Sequence, residues 1–488
     1  MNGKHFLGFI KKALLCFLIE IVMGACQHWH LAFGFEMPHV PDLFTDPLGS
    51  KPPILSTDPL LPDGTPIVCP AQVDVSGELA LIDVIDLALC NNPQLKQSWA
   101  AIKVQAGAVG EARSSYLPTA SATYSPLQQT LVNYQDSFNA DSITNGKMST
   151  ANLSWRLYDF GGRAANSFSA NLLLKAALAS YDANVQKAMA LTIQSYFDVL
   201  TAKASLKAKA QAANFANASL EASLRRENKG VAAKSDTLQA QTAFAKAQLA
   251  ASRAQGDFDK AQAALIFTIG LPTSTKVALK ESAEYPHNQN VKALDAWLIE
   301  AEQNHPAIKA AKAQWESAKE KIIAARSAGL PTLDFVGNVY QNGYPNQGLQ
   351  QIKSITTSVG LTITIPIFEG FSTTYKIQGQ KAQAEKSLAE LEDSTHQILT
   401  ELVKSHADAV SSLANLEFSE KLFQAASAAV TSSLKRYEVG AADILELLNT
   451  QSSLAEAQQE RIRCIAEWRS ARLRLFANAG ILGHKLEN

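Results

Sequence analysis

The residues best suited to chemistry are nine histidines and five cysteines, and their spacing matches no reactive arrangement. Four histidines fall within the first 39 residues and the others are scattered. No His-Glu-x-x-His, Walker-type loop, Gly-x-Ser-x-Gly elbow or Gly-x-Gly-x-x-Gly turn occurs. No Cys-x-x-Cys pair exists either, so metal and redox motifs gain no support. Catalysis needs convergent polar groups. The expectation is therefore no enzyme, no catalytic residue, no metal and no cofactor. A net charge of -1 likewise lacks the basic footprint that nucleic-acid binding requires.

The cysteines speak about compartment instead. Lys4, Lys11 and Lys12 precede an apolar stretch from Ala13 to Ala25, the pattern of an export signal within residues 1–34. Two processing sites compete. Met23-Gly24-Ala25-Cys26 is similar to a lipobox, which would lipidate Cys26, and Ala32-Phe33-Gly34 fits ordinary cleavage. Export places the rest in an oxidising space, where a Cys69–Cys90 disulfide is expected to pin an extended arm, residues 35–79, to the first helix. The alternative is two unpaired small apolar side chains. After the signal no apolar run approaches the roughly 18 residues of a membrane helix.

The elements that must carry any function come in two copies. Asn92-Pro93, Ala112-Arg113 and Leu117-Pro118-Thr119 recur as Asn304 with Pro306, Ala325-Arg326 and Leu330-Pro331-Thr332; Pro93 to Pro306 and Arg113 to Arg326 are each 213 apart. Leu224-x-Arg226-x-x-x-Gly230 recurs as Leu434-x-Arg436-x-x-x-Gly440, 210 apart. Two repeats follow, residues 80–280 and 293–485, joined by a linker at 281–292.

Each copy opens with a helix, Leu81 to Ser115 in the first, broken at Asn92-Pro93. A strand pair follows. Asn152 to Tyr158 alternates, with Leu153, Trp155 and Leu157 on one face. Ser358 to Ile367 alternates too, with Val359, Leu361, Ile363, Ile365 and Ile367 on one face and small or polar residues on the other. Such strands have the length and alternation of a tilted transmembrane β-strand, but the signal is weak alone because any half-buried sheet alternates. Next, breaker-free stretches from about Arg163 to Asn228 and from about Ser372 to Glu438 predict helices near 100 Å long at 1.5 Å per residue. Each ends at a glycine, Gly230 or Gly440, where a reversal favours positive φ, and a return helix follows. Leu416, Phe423, Val430 and Tyr437 are spaced by seven, as are Leu447, Leu454, Arg461, Trp468 and Leu475, so the hairpins should pack as coiled coils. Four strands cannot close a barrel in lipid, because open edges leave backbone groups unpaired. A membrane reading thus requires oligomerisation, and three copies give twelve strands.

The duplicated unit, the Leu-Pro-Thr triplets, Leu157-Tyr158-Asp159-x-Gly161-Gly162-Arg163 and Tyr437-x-x-Gly440 together resemble the TolC family of outer-membrane efflux and secretion channels. The resemblance implies a homotrimer in the bacterial outer membrane: a twelve-stranded β-barrel continued by a long periplasmic coiled-coil α-barrel. It implies a periplasmic adaptor and an inner-membrane ABC or proton-driven transporter as partners. Cys69 with Leu89-Cys90-Asn91-Asn92-Pro93 is similar to the branch serving type I secretion. At the helical tip the resemblance assigns an entrance gate to Asp236 and Tyr437, an acidic ring to Glu446, and a neutral departure to Asn449. Ala442 stands where the family carries an arginine, so Arg436 or Lys234 is expected to rebuild the link. Val439, Gly440, Ala441 and Ala442, with Gly230, would meet the adaptor. Trp155, Tyr158, Phe160, Phe368 and Phe371 would form an interfacial girdle against outer-membrane lipid. The competing reading is a structural coiled-coil envelope protein without channel activity.

Overall fold

The computed structural model describes residues 77–131, 142–280, 293–342 and 354–481. The signal with Cys26, the arm up to residue 76 with Cys69, and the linker lie outside the described residues. Each copy contributes two short helices, a strand pair and a long helical hairpin. In the first copy these are β1 (Glu78–Leu79), α1 (Leu81–Asn91), α2 (Pro93–Ser114), β2 (Thr119–Leu131), β3 (Ser142–Tyr158), α3 (Gly162–Asn228), α4 (Lys234–Ile269) and β4 (Ala278–Leu279). In the second they are α5 (Leu294–Asn304), α6 (Pro306–Ser327), β5 (Thr332–Asn342), β6 (Ser354–Thr364), α7 (Ser372–Glu438) and α8 (Ile444–Asn478).

The break after α1 is a built N-terminus. Asn92 Oδ1 accepts from the Gln94 N–H at 2.8 Å, and Pro93 occupies the first turn, where its missing N–H costs nothing. The second copy does the same with His305, whose Nδ1 accepts from Ala307 N–H at 3.2 Å. These caps also receive the ends of the return helices. Asn92 Nδ2 donates to Thr268 O near the end of α4, and a Cβ on Gly270 would lie 2.6 Å from Asn91 O. Gly480, just past α8, presses on Pro306 in the same way, with 2.8 Å left for a Cβ. The short helices therefore stack on the returning ones. Two long helices, α3 and α7, stand beside two pairs of helices that meet end to end, α4 with α2 and α8 with α6.

A core of Val84, Ile102, Val185, Ile193, Tyr196, Leu265 and Ile269 surrounds the first joint. Trp297, Ala301, Leu402, Ala471 and Leu475 surround the second. Between α7 and α8 the expected large residues make only half of the seam. Ser405, Ser412, Ser419, Ala426 and Ser433 are buried at the same seven-residue interval, and α8 answers with Thr450, Ala457, Cys464 and Ala471. Ser433 Oγ lies 2.6 Å from Thr450 Oγ1, and Ser419 hydrogen-bonds the Cys464 thiol. Small layers alternating with large ones let the helices approach closely. Arg461, the exception in the large row, lies over the Phe423 ring at 4.9 Å and pairs with Glu420.

β2, β3, β5 and β6 form one antiparallel sheet in that order, so the copies meet at β3–β5 and the edges are β2 and β6. β3 begins ten residues before the alternating Asn152–Tyr158 segment, and β6 covers Ser354–Thr364 instead of 358–367. The ladder stops there because Pro366 has no N–H to continue it.

Candidate functional site

The sheet register sorts its side chains into two faces. One carries the rows Ala120–Leu153–Gly337–Val359, Trp155–Phe335–Leu361 and Tyr158–Leu333–Ile363. The other carries Ser121–Asn152–Asn338–Ser358, Ser154–Val336–Gly360 and Arg156–Asp334–Thr362. An apolar face opposite a polar one, on strands long enough to cross lipid, is the pattern of a barrel wall with a wet interior. The five aromatics expected at an interface gather at the helical end of the sheet, all exposed in the single chain. Tyr158 meets Phe160 edge-on at 4.8 Å, and Phe368 meets Phe371 at 5.6 Å. Trp155 Nε1 donates to Tyr116 O at 2.8 Å. Phe160 and Phe371 adopt positive φ, 52° and 63°, to turn the chain from strand into helix.

The Asp-x-Gly-Gly-Arg motif explains how the first strand pair is fixed to α3. A β-bulge between Arg156 and Tyr158 interrupts the ladder and leaves carbonyls without strand partners. Arg163 supplies them: Nη1 donates to Arg156 O at 2.6 Å and Nη2 to Leu157 O at 3.0 Å. Asp159 holds the same guanidinium at 3.3 Å, and the Tyr116 ring covers it at 4.8 Å. A Cβ at Gly162 would run into Ser327 Oγ, so glycine leaves that side chain its place.

At the opposite end the two hairpins turn at Gly230 and Gly440, with φ of 73° and 79°. Val231 N–H donates back to Arg226 O and Ala441 N–H to Arg436 O, closing both helices alike. Beside the second turn, Val439 and Ala441 are exposed and Ala442 is half-buried. Tyr437 is only 5% exposed and packs with Ile444 and Leu447.

The residue that reaches Tyr437 is Arg226, which sequence reasoning passed over. Its Nη1 donates to Tyr437 O at 2.8 Å and its guanidinium lies 4.8 Å from the ring centre. This joins the first hairpin to the second, two turns below another cross-tie, Gln451 Nε2 to Ser219 Oγ at 3.0 Å. Arg436, expected to rebuild the link, is engaged elsewhere: it pairs with Glu446 at 2.6 Å and donates to Ala441 O at 3.3 Å. Lys234 forms no ion pair among the described residues. Glu446 is thus partly neutralised, and its N–H caps onto Asp443 Oδ1 at 2.7 Å. Asp236 accepts from Ser235 Oγ at 3.3 Å, within its own turn. Asn449 is exposed on α8. Only the repeated arginine flagged Arg226, and a repeated side chain says nothing of where it points.

Cys90 in α1 is disulfide-bonded. Cys464 is free and buried, and burial pushes its thiol up. Among the described residues no group of three or more His, Cys, Asp or Glu side chains is placed to hold a metal ion, and no helix is long and apolar enough to cross a membrane.

A duplicated sheet with one face for lipid and one for water, continued by helical hairpins some 100 Å long, defines a channel wall. The outer membrane efflux protein family matches residues 84–271 and again 297–481, once per repeat. Protein CyaE of Bordetella pertussis is 33% identical over 415 residues, 85% of this chain and 87% of its own length. The alkaline protease secretion protein AprF of Pseudomonas aeruginosa is 24% identical over 187 residues, 38% of this chain and 39% of its own. The outer membrane protein VceC of Vibrio cholerae superposes with a TM-score of 0.71 at 18% identity, over 82% of this chain and 96% of that one, a likeness of fold. The chain belongs to the outer membrane efflux protein family. It is an outer-membrane channel with a TolC-like fold and a long periplasmic part, the exit duct of an export system. Members of this family are transport channels.

Proposed function

We propose that three copies of the chain close into one passive duct, and that an adaptor and an energised inner-membrane transporter open it. The observation that carries this is the four-stranded sheet with unpaired edges at β2 and β6. An unpaired edge in lipid costs several kcal/mol per backbone group. A second copy meeting each edge removes the cost, and three copies close a twelve-stranded barrel. The girdle of Trp155, Tyr158, Phe160, Phe368 and Phe371 then sits at the lipid interface. The export of proteins, by a type I system with an ABC transporter, is the favoured task, because relatives include an alkaline protease secretion protein and a proteases secretion protein.

At the tip, the Arg226–Tyr437 tie holds the two hairpins of a protomer together and keeps the entrance narrow. Val439, Gly440, Ala441 and Ala442, with Gly230, form the small-residue surface that the adaptor meets. Glu446 lines the entrance with its charge tempered by Arg436, and Asp236 and Asn449 flank it. Cys69 is the proposed partner of Cys90. The test is purification from outer membranes followed by planar-bilayer recording. A trimer with discrete conductance is expected; a monomer that carries no current sinks the proposal.

A further inference from the structure

The row Arg156–Asp334–Thr362 is the last polar row to span three strands before the helices, with only the uncharged Thr332–Thr364 pair beyond it. Above it, the rows through Ser154 and Asn152 present hydroxyls, amides and small groups, with no charge. Arg156 and Asp334 therefore form an isolated ion pair on an otherwise neutral described wall. Arg156 Nε donates to Asp334 Oδ1 at 2.9 Å and Nη2 to Oδ2 at 3.5 Å. Thr332 Oγ1 donates to the same carboxylate at 3.3 Å. The two side chains are unequally covered: the arginine is 47% exposed and the aspartate 15%. A guanidinium has five N–H donors. Asp334 takes two, Asp159 adds a more distant attraction, and the half-exposed guanidinium keeps donors to spare. The pair is neutral in sum but cationic toward the lumen.

The duplication gives this pair a place. Arg156 corresponds to Pro366 at the 210-residue offset, and Asp334 to Ser121 at the 213-residue offset. The pair therefore sits at β3–β5, where the repeats meet, and has no counterpart on the edges β6 and β2. In a trimer three guanidinium forks would alternate with three neutral seams.

We propose that Arg156 is a luminal selectivity residue at the barrel neck, and that its fork engages carboxylates of a passing chain while Asp334 holds it in position. Arginine forks match carboxylates in two parallel hydrogen bonds. Charges within about 10 Å of the axis act before salt screens them. This inference rests on the trimeric channel reading. The experiment is the reversal potential of single channels in a potassium chloride gradient, with poly-L-glutamate as a blocker added on the barrel side. Arg156→Gln leaves three unpaired carboxylates and should raise the potassium-to-chloride permeability ratio by about twofold or more, and it should abolish the block. Asp334→Asn should shift the ratio toward chloride and deepen the block. The double variant should return near the wild type, and Arg156→Lys should keep part of the block. Misfolding cannot produce opposite shifts from two partners. Unchanged potentials in both single variants, or shifts of the same sign, overturn the assignment. Absence of any wild-type conductance instead sinks the channel reading beneath it.

Discussion

Arg226 and Arg436 stand at the same position of the two repeats, each four residues before a tip glycine, and they reach for different partners. Arg436 stays in its own hairpin, tied to Glu446 and to Ala441 O. Arg226 leaves its hairpin for the carbonyl and ring of Tyr437. Their neighbours have changed to match. Glu446 corresponds to Asp236, which bonds only within its own turn, and the capping Asp443 corresponds to Ala233, which caps nothing. The second hairpin ties its tip within itself, whereas the first, besides its own Ser223–Thr237 contact, ties its tip to the second. The strand joints show a parallel exchange: Tyr116 stacks on Arg163 in the first copy, whereas Gly329 lies against Thr373 in the second. Duplication supplied the frame, and the two copies differ in paired positions within it.

The contrast can be broken most sharply at Tyr437. Tyr437→Ala removes a buried ring and the partner of Arg226, and should cost about 3 kcal/mol or more at the tip. Raised resting conductance with faster hydrogen exchange in both hairpins is the expected outcome; a change confined to the second hairpin would show that the first stands alone.

Next in size is the pair of caps at the joints. His305 is nearly buried, and burial pulls its pKa from 6.5 down to about 4. The unfolded chain therefore binds the proton first. Stability from neutral His305 is complete above pH 6.5 and is lost as pH falls toward 4, by up to about 3 kcal/mol. Asn92, the counterpart, has no such titration. Hydrogen exchange at the start of α6 should rise across that window, exchange at the start of α2 should not, and His305→Asn should flatten the difference.

The arginines come third. Arg226→Ala should raise conductance, because a charge-assisted bond of about 1.5–3 kcal/mol holds the hairpins together, while Arg436→Ala should loosen the second turn and leave the channel closed. Equal conductance in both variants would remove the distinction. The smallest effect concerns the caps of the return helices: Ala233→Asp should stabilise the first hairpin by about 1 kcal/mol and Asp443→Ala should weaken the second by a similar amount, read from local exchange rates.

Much of this architecture was visible in the sequence because duplication and the seven-residue spacing repeat over many residues. The ends of α3 and α7 fell within a residue of expectation, since a glycine and a strand end bounded each. The first ten residues of β3 were not visible: Thr144, Asn145, Gly146 and Lys147 do not alternate, and their pairing with β2 makes them a strand. The serine row of α7 is illegible because serines carry no apolar signal, although close-packed helices bury small residues. The contacts of Arg226 and of Arg163, the latter visible only as a motif residue, were illegible for one shared reason. Both bind backbone carbonyls, which every residue carries, so no acceptor stands out in a string of side chains.

The two joints bear on mechanics. α3 and α7 are unbroken rods, whereas α2 meets α4, and α6 meets α8, through a cap and a glycine turn. A wall built of one-piece struts beside two-piece struts is stiff along its length but yields to torsion where the pieces meet. Twist applied at the tip should be absorbed at that height, leaving the sheet in the membrane undisturbed.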